Sequence, residues 1–166
     1  LIAVVNKIDL PAAQPDEVAQ EIEDLIGLDA ADVVQVSAKT GINVDRILEA
    51  VVRRVPPPRG NPEAPLRALI FDSHYDSYKG VIAYVRVFDG TIRKNDVLRL
   101  MASRAEVEPV EIGIFNPNMK PIESLTVGEV GYIATGLKTV RECRVGDTIT
   151  HANRPAPEPL PGYKQV

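Results

Sequence analysis

The apolar pattern of the chain changes its period at Pro56-Pro57-Pro58, and this change separates two classes of fold. Before the prolines, continuous apolar runs alternate with stretches in which apolar residues recur every three to four positions, which indicates a β-α-β-α order. After them, the apolar residues recur at every second position over many short runs, which indicates strands. A run of prolines ends a helix and forms a stiff, extended connection. We therefore expect an α/β region followed by an all-β region.

The α/β region, residues 1–58, is predicted to contain two parallel strands and two helices. Residues 1–5 are apolar throughout, as expected for a strand that is covered on both faces, and residues 33–36 form the second strand. Pro15 opens the first helix, and Asn43 is predicted to cap the second one. The second helix is expected to bury one apolar face, which consists of Val44, Ile47, Leu48, Val51 and Val55.

The all-β region, residues 66–153, is predicted to be a closed or nearly closed antiparallel β-barrel. Asp89-Gly90 is a strong hairpin signal, and further β-rich runs cover residues 97–101, 107–115, 131–135 and 147–150. We expect tight turns with positive φ at Asn95, Gly128 and Gly146. Residues 59–65 are predicted to be a linker, and residues 154–166 a second linker toward a third domain.

Composition excludes several classes of protein. With 45% hydrophobic and 25% charged residues, the sequence is typical of a folded globular protein, and no apolar run is long enough to cross a membrane. Cys143 is the single cysteine and has no internal disulfide partner, so a structural role is expected. His74 and His151 are isolated, and no metal site is predicted. Because the sequence begins at Leu1 inside an apolar run, we expect it to be part of a longer protein.

Two short motifs follow the two predicted parallel strands. Asn6-Lys7-Ile8-Asp9 comes after the first strand, and Ser37-Ala38-Lys39 comes after the second. The carboxyl ends of parallel strands lie at one edge of the sheet, where α/β proteins bind their ligands. A carboxylate such as that of Asp9 can accept both N–H donors on the Watson–Crick edge of guanine. One such motif is a weak signal, but both at this spacing predict a guanine site.

These motifs resemble the guanine-recognition motifs of P-loop GTPases, and the resemblance assigns a role to each residue. It implies that Asn6 ties the two loops together and reaches the base, while the stem of Lys7 lies along the purine ring. The backbone N–H of Ala38 is implied to donate to the guanine oxygen. Ser37 is implied to steady the carboxylate of the first motif, and Lys39 to pack over the other side of the base.

The other parts of a GTP-hydrolysing site do not occur in the sequence. There is no G-x-x-x-x-G-K-[ST] motif for phosphates, no matching aspartate for magnesium and no switch segment. No catalytic residue is therefore predicted in this chain, and the chain by itself is expected to be inactive. GTP or GDP is expected to be contacted through its base alone, and the magnesium ligands are expected to lie outside this chain, in the full-length protein.

From residue 64 onward the sequence resembles the elongation factor 4, or LepA, family of translational GTPases. The segments that carry this resemblance are residues 64–73, 78–81, 86–90, 130–133, 144–149 and 159–164. Asn95 is a departure from it, since glycine is usual there. The resemblance implies a monomeric, ribosome-dependent GTPase that promotes backward movement of tRNA. It also implies ribosomal RNA, ribosomal proteins and guanine nucleotide as partners, and a cytoplasmic location with peripheral association to the cytoplasmic face of the cell membrane.

Two other functions stay open at this point. The chain could be part of another translational GTPase, such as elongation factor G or a release factor GTPase. It could also be a non-catalytic module that binds the ribosome or RNA and carries a vestigial guanine site. Tyr75, Tyr78, Lys79 and Tyr84 mix aromatic and basic side chains that can stack on RNA bases, although packing within the barrel is the favoured interpretation.

Overall fold

The computed structural model describes residues 1–162 and divides into two compact units. Unit 1 is Leu1–Pro57, and unit 2 begins at Pro58. The change of fold class that the sequence predicts at the three prolines is therefore confirmed. In the described part of the chain, no helix is long and apolar enough to cross a bilayer.

Unit 1 has the predicted β-α-β-α order. Its elements are β1 (Val4–Val5), α1 (Pro15–Ile26), a 3₁₀ turn (Ala30–Asp32), β2 (Val34–Gln35) and α2 (Val44–Arg54). The two strands are parallel, with Val4 opposite Val34 and Val5 opposite Gln35. Each strand is only two residues long, so the apolar runs in the sequence are longer than the strands that they form.

Helix α1 begins and ends where its sequence predicts. Pro15 occupies its first turn, where the missing N–H is not needed, and Asp16 and Glu17 lie at the positive end of the helix dipole. Gly27 follows the helix in a left-handed conformation, with a φ of 75°, and its N–H donates to the carbonyl of Glu23. This conformation is costly for other residues, which explains why the helix stops at a glycine.

Asn43 is the N-cap residue of α2, as predicted, but the buried face predicted for this helix is wrong. Asn43 precedes the helix, but its side chain makes no cap hydrogen bond; it donates instead to the carbonyl of Gln35 at 2.9 Å. No residue of α2 is buried, and Leu48 and Val55 are 64% and 52% exposed. The physical reason is that a sheet of two dipeptide strands offers too little apolar surface to cover the helix.

Unit 2 is an all-antiparallel β structure, as predicted. Its strands are β3 (Arg67–Asp76), β4 (Gly80–Asp89), β5 (Thr91–Arg93), β6 (Leu98–Leu100), β7 (Glu106–Val107), β8 (Glu111–Asn116), β9 (Asn118–Pro121), β10 (Ser124–Thr126), β11 (Val130–Ala134) and β12 (Thr148–His151). Eight of them form one sheet in the order β7-β6-β12-β3-β4-β11-β8-β9, and β5 pairs with β10 in a separate ribbon.

The period-two pattern places one face of each long strand in a single core. In β3, Ala68 and Ile70 are fully buried, and in β4 the same holds for Val81, Ala83 and Val85. The ribbon also contributes to this core through Ile92 of β5 and Leu125 of β10. The eight-stranded sheet and the ribbon therefore share one core, as expected for the barrel-like fold predicted from the sequence.

The expectation of a hairpin at Asp89-Gly90 is wrong. Gly90 turns with a φ of 75°, but β5 pairs with β10 and not with β4. The reason is that β4 is already paired with β3 on one side and β11 on the other, so it has no free edge for β5. The sequence signal identified the turn but not the partner of the strand that follows it.

Two further details differ from prediction. The single run expected over residues 107–115 is divided into β7 and β8, because Pro109 between them has no N–H to donate to a ladder. Gly128 and Gly146 adopt the positive φ values that were predicted, 84° and 88°. Asn95 does not belong to the non-glycine residues with positive φ, so that part of the prediction is wrong.

The segments on both sides of the predicted barrel are attached to it. Asn61, in the predicted linker, donates from its N–H to Asp89 and accepts at its carbonyl from the N–H of Gly90 at 2.9 Å. After β12, the N–H groups of Ala156 and Leu160 donate to threonine hydroxyls of that strand at 2.8 and 2.9 Å. The last part of the predicted tail, residues 163–166, lies outside the described residues.

Candidate guanine-recognition site

The structure brings the two motifs together at the carboxyl edge of the parallel strands. Backbone hydrogen bonds hold this edge: the N–H of Val36 donates to Val5 at 2.8 Å, and the N–H of Ile8 donates to Val36 at 3.2 Å. The first motif thus begins where β1 ends, and the second begins just after β2. This is the juxtaposition that the βαβ spacing of the sequence predicts.

Asn6 connects the two loops. Its Oδ1 accepts hydrogen bonds from the N–H of Lys7 at 2.7 Å and from the N–H of Ala38 at 3.0 Å. Lys7 has a φ of 69°, a left-handed conformation that is uncommon for a residue with a side chain. The first of these bonds holds the strained residue, and the second holds the loop that follows β2.

Asp9 is oriented by a buried hydroxyl group. Ser37 is fully buried, and its Oγ donates to Oδ1 of Asp9 at 2.6 Å. The same Oγ accepts from the N–H of Thr40 at 3.2 Å, so the serine is fixed from both sides. Asp9 itself is partly exposed, and the Oδ2 oxygen is not used in the bond to Ser37. The result is a carboxylate in a defined orientation at the sheet edge.

The remaining predicted site residues lie around this carboxylate in an exposed position. The side chains of Lys7 and Lys39 are exposed, as is Ala38. The N–H of Ala38, predicted to donate to a guanine oxygen, donates to Asn6 in this structure. A guanine oxygen that binds to this N–H must therefore share it with Oδ1 of Asn6 or take the place of that oxygen. The geometry supplies an oriented carboxylate at an edge where two lysines are exposed, an arrangement suited to a ligand with N–H donors.

Three contributors to the site were missed in the sequence. Thr40 anchors Ser37, Gln35 donates to Asp16 at 2.8 Å, and Asn43 donates to the backbone of Gln35. The bond between Thr40 and Ser37 could have been predicted from the sequence, because a serine hydroxyl often accepts from the backbone N–H three residues later. The other two join residues that are distant in the sequence, and no local pattern indicates them.

Outside this site, the candidate residues have structural contacts. Cys143 is fully buried, and desolvation together with the charge of Asp147 raises the pKa of its thiol to about 12. The Nε2 atom of His151 lies 3.0 Å from the carboxylate of Asp96. Residues 1–162 contain no group of three or more histidine, cysteine or acidic side chains that could hold a metal ion.

The aromatic residues of the barrel divide into two groups. Tyr84 packs on the outer face of the sheet, with ring centroids 5.1 Å from Phe115 and 5.4 Å from His74. Tyr75 and Tyr78 are 56% and 95% exposed. Packing, the favoured interpretation, is thus confirmed for Tyr84, whereas a stacking role for the two exposed tyrosines stays a prediction.

Comparison with known families assigns each unit to a known domain. Residues 1–57 match the elongation factor Tu GTP binding domain, and residues 80–150 match elongation factor Tu domain 2. These matches cover the α/β motifs and most of the β-barrel. Together they define the chain as the end of a GTP binding domain followed by a second domain, both of the elongation factor Tu type.

Comparison with curated relatives identifies the family to which the chain belongs. The chain is 54% identical to elongation factor 4 of Clostridioides difficile and 58% identical to that of Thermosynechococcus vestitus, in each case over all 166 residues. The chain belongs to the elongation factor 4 family. It spans 28% of the length of these two relatives.

Solved structures support the same fold at low sequence identity. A bacterial selenocysteine-specific elongation factor, EF-Sec, matches 90% of this chain with a TM-score of 0.68 and 15% identity, over 26% of its own length. The apo form of the elongation factor SelB from Methanococcus maripaludis also matches 90%, with a TM-score of 0.73 and 16% identity, over 33% of its length. At these identities the similarity concerns the fold alone.

Proposed function

We propose that this chain is the guanine-reading part and the second domain of a ribosome-dependent GTPase of the elongation factor 4 type. In the full-length protein it binds GTP or GDP through Asn6, Lys7, Asp9, Ser37, Ala38 and Lys39. The observation that carries the proposal is the 2.6 Å bond from Ser37 to Asp9, which orients one carboxylate at the edge where both motifs meet. Movement of tRNA on the ribosome, including backward movement, is proposed from family membership.

The residues fit a guanine base in charge and in hydrogen-bonding capacity. Asp9 presents an acceptor to the two adjacent donors of guanine, while the exposed stems of Lys7 and Lys39 supply apolar and cationic cover for the ring. Adenine lacks the paired donors and would leave the carboxylate unsatisfied, a mismatch that can reach roughly 10⁴–10⁵ in discrimination. A bound nucleotide supplies the phosphates, and magnesium is proposed to bind through ligands elsewhere in the full-length protein.

The proposal is tested by Asp9→Asn in the full-length protein. Xanthine has an oxygen where guanine has its amino group, so an asparagine amide matches xanthine better than a carboxylate does. We expect the variant to bind GTP more weakly and to bind xanthosine triphosphate instead, with ribosome-stimulated hydrolysis following the nucleotide that binds. Titration of both nucleotides by isothermal calorimetry measures the exchange of preference.

A matched control is Asp24→Asn in α1, whose carboxylate accepts a hydrogen bond from Gln20. It removes the same charge from unit 1 and should leave both nucleotide affinities unchanged. Unchanged GTP affinity in Asp9→Asn contradicts the site assignment. Loss of GTP affinity without any gain for the xanthine nucleotide leaves Asp9 with a structural role only.

One observation favours the second candidate function, a ribosome-binding or RNA-binding module with a vestigial guanine site. The N–H of Ala38 already donates to Asn6, so the loop is closed without a base. The calorimetric experiment separates the two candidates, because a vestigial site binds neither nucleotide in the full-length protein. Peripheral association with the cytoplasmic face of the cell membrane rests on the family resemblance alone.

A further inference from the structure

Two hydrogen bonds close the base of the loop that carries the second guanine motif. The loop runs from the end of β2 to the start of α2. The N–H of Ser37 donates to the carbonyl of Ile42 at 3.1 Å, and Nδ2 of Asn43 donates to the carbonyl of Gln35 at 2.9 Å. The first bond joins backbone groups and is available to any pair of residue types. The second needs a side chain with an N–H donor at position 43.

Within the loop, the hydrogen bonds converge on Ser37. The N–H of Gly41 donates to the carbonyl of Ser37 at 2.8 Å, and the N–H of Thr40 donates to its hydroxyl at 3.2 Å. The same hydroxyl donates to Asp9 at 2.6 Å. The serine thus has its N–H, its carbonyl and its hydroxyl engaged at once. Its position, and with it the direction of its hydroxyl, depends on where the base of the loop is closed.

The residue type at position 43 combines two properties that this closure requires. Asn43 has a φ of 57°, a left-handed conformation that asparagine tolerates better than most residues with a side chain. Its side chain makes no cap bond to α2 and is directed to Gln35 instead. Glycine would tolerate the backbone conformation without supplying a donor, and the carboxylate of an aspartate only accepts.

The carbonyl to which Asn43 donates belongs to a residue that is held in two other ways. Gln35 is paired with Val5 in the parallel sheet. Its Nε2 also donates to Asp16 in the first turn of α1 at 2.8 Å. The bond from Asn43 therefore connects the loop to a fixed point of the sheet and not to a second mobile segment.

We propose that Asn43 is a positioning residue for guanine selectivity. Its bond to Gln35 closes the base of the loop and so holds Ser37, whose hydroxyl keeps Asp9 in the orientation that accepts both donors of guanine. Asn43 acts through Ser37 and is not itself a ligand of the base. This inference rests on the proposed function, the binding of a guanine nucleotide at this edge.

The ratio of the affinities for GTP and inosine triphosphate measures this orientation. Inosine keeps the ring N–H and the ring oxygen of guanine but lacks the 2-amino group. A well-oriented carboxylate therefore gains its second hydrogen bond from guanine alone. A general loss of stability in unit 1 would weaken the binding of both nucleotides by the same factor and leave the ratio unchanged.

The test is Asn43→Gly in the full-length protein, with both nucleotides titrated by isothermal calorimetry. Glycine retains the left-handed backbone and removes the donor. We expect the preference for GTP over inosine triphosphate to fall by about two- to tenfold, the usual effect of one neutral hydrogen bond. Asn43→Asp should lower it in the same way, because a carboxylate cannot donate to Gln35. If Asn43→Gly does not fold, Asn43→Asp carries the test, since a negative charge favours the start of a helix.

Asp45→Gly is the matched control. Asp45 is exposed in the first turn of α2, so this variant weakens the start of the same helix by the same type of substitution and removes no bond of the loop. It should leave the ratio unchanged. Hydrogen–deuterium exchange of the nucleotide-free full-length protein gives a second readout. Peptides that cover residues 37–41 should exchange faster in Asn43→Gly and at the original rate in Asp45→Gly.

The outcomes separate a failure of this inference from a failure of the proposed function. An unchanged ratio in both Asn43 variants, including an equal loss of affinity for both nucleotides, overturns the role of Asn43. The result is confined to Asn43 if Asp9→Asn, titrated alongside, still changes the nucleotide preference. If Asp9→Asn leaves the GTP affinity unchanged, the guanine site itself is wrong and the role of Asn43 falls with it.

Discussion

The two units differ in how much of their apolar surface they bury. In unit 1 the buried residues are Ala19, Val33, Val36 and Ser37, and both helices expose large apolar side chains. In unit 2 one continuous core joins seven of the eight strands of the sheet, all but β9, to the ribbon. Burial of apolar area is the main stabilising term in folding. We therefore expect unit 2 to be stable by itself and unit 1 to be much less stable.

This difference shows that the candidate site is well ordered locally in a weakly packed region. The carboxylate of Asp9 is held by Ser37 and the loops by Asn6, through short-range hydrogen bonds. These bonds need only the two strand ends and not a large core. The barrel has the opposite character, a large core with no comparable cluster of recognition motifs.

The largest expected effect is the loss of a core side chain from unit 2. Ile133 in β11 is fully buried, so Ile133→Ala should lower the free energy of unfolding by about 2–5 kcal/mol. Leu48→Ala in α2 removes a side chain that is 64% exposed and should change it by less than about 0.5 kcal/mol. Urea denaturation of both variants measures the two free energies of unfolding. Similar losses of stability in the two variants would contradict the difference in burial between the units.

Limited proteolysis of the unaltered chain should detect the difference in packing between the two units. Unit 1 opens more readily because it buries little, so its bonds should be cleaved first, at a rate at least about tenfold above that of the barrel. Mass spectrometry of early products should show fragments that begin near Pro58. Equal protection of both units would show that a partner or another copy of the chain covers the apolar faces of α1 and α2.

A smaller effect is expected at the site. Ser37→Ala removes the donor to Asp9 and the acceptor of Thr40, which should weaken guanine nucleotide binding in the full-length protein by about 1–2 kcal/mol, or roughly five- to thirtyfold. Ser73→Ala in the barrel removes a single hydroxyl that bonds to a backbone carbonyl, and it should leave that affinity unchanged. A fluorescent-nucleotide titration compares the two. Equal affinities would remove Ser37 from the recognition of the base.

The smallest effect concerns pH and is confined to unit 2. The N–H of Asn61 and the guanidinium of Arg67 lower the pKa of Asp89 below its ordinary value of 3.8. A lowered pKa in the folded state stabilises the fold above pH 3.8, and this contribution is lost as the pH falls through the lower value. Asp89→Asn should remove that part of the pH dependence in denaturation curves between pH 7 and pH 2. An unchanged acid profile would show that Asp89 has no such role.

Local patterns were sufficient to predict the order of elements and the meeting of the two motifs at one edge of the parallel strands. Periodicity identified the buried face of β3 and β4, and the βαβ spacing predicted that the motifs beginning at Asn6 and Ser37 meet. The pairing of β5 with β10 was not predictable, because it depends on which edges are free after the sheet has formed. The exposure of the apolar face of α2 was also not predicted. An amphipathic pattern shows which face of a helix can be buried, but it does not show whether another element covers that face.

The attachment of Asn61 and Leu160 to the barrel determines where this module can be exchanged between proteins. A chimera joined at residues 66 and 153 would discard the N–H and carbonyl of Asn61 that bond to the turn at Gly90, and the N–H of Leu160 that bonds to Thr148. Junctions at Pro58 and after Gly162 retain both attachments. A transplanted barrel therefore keeps both attachments only when its flanking segments move with it.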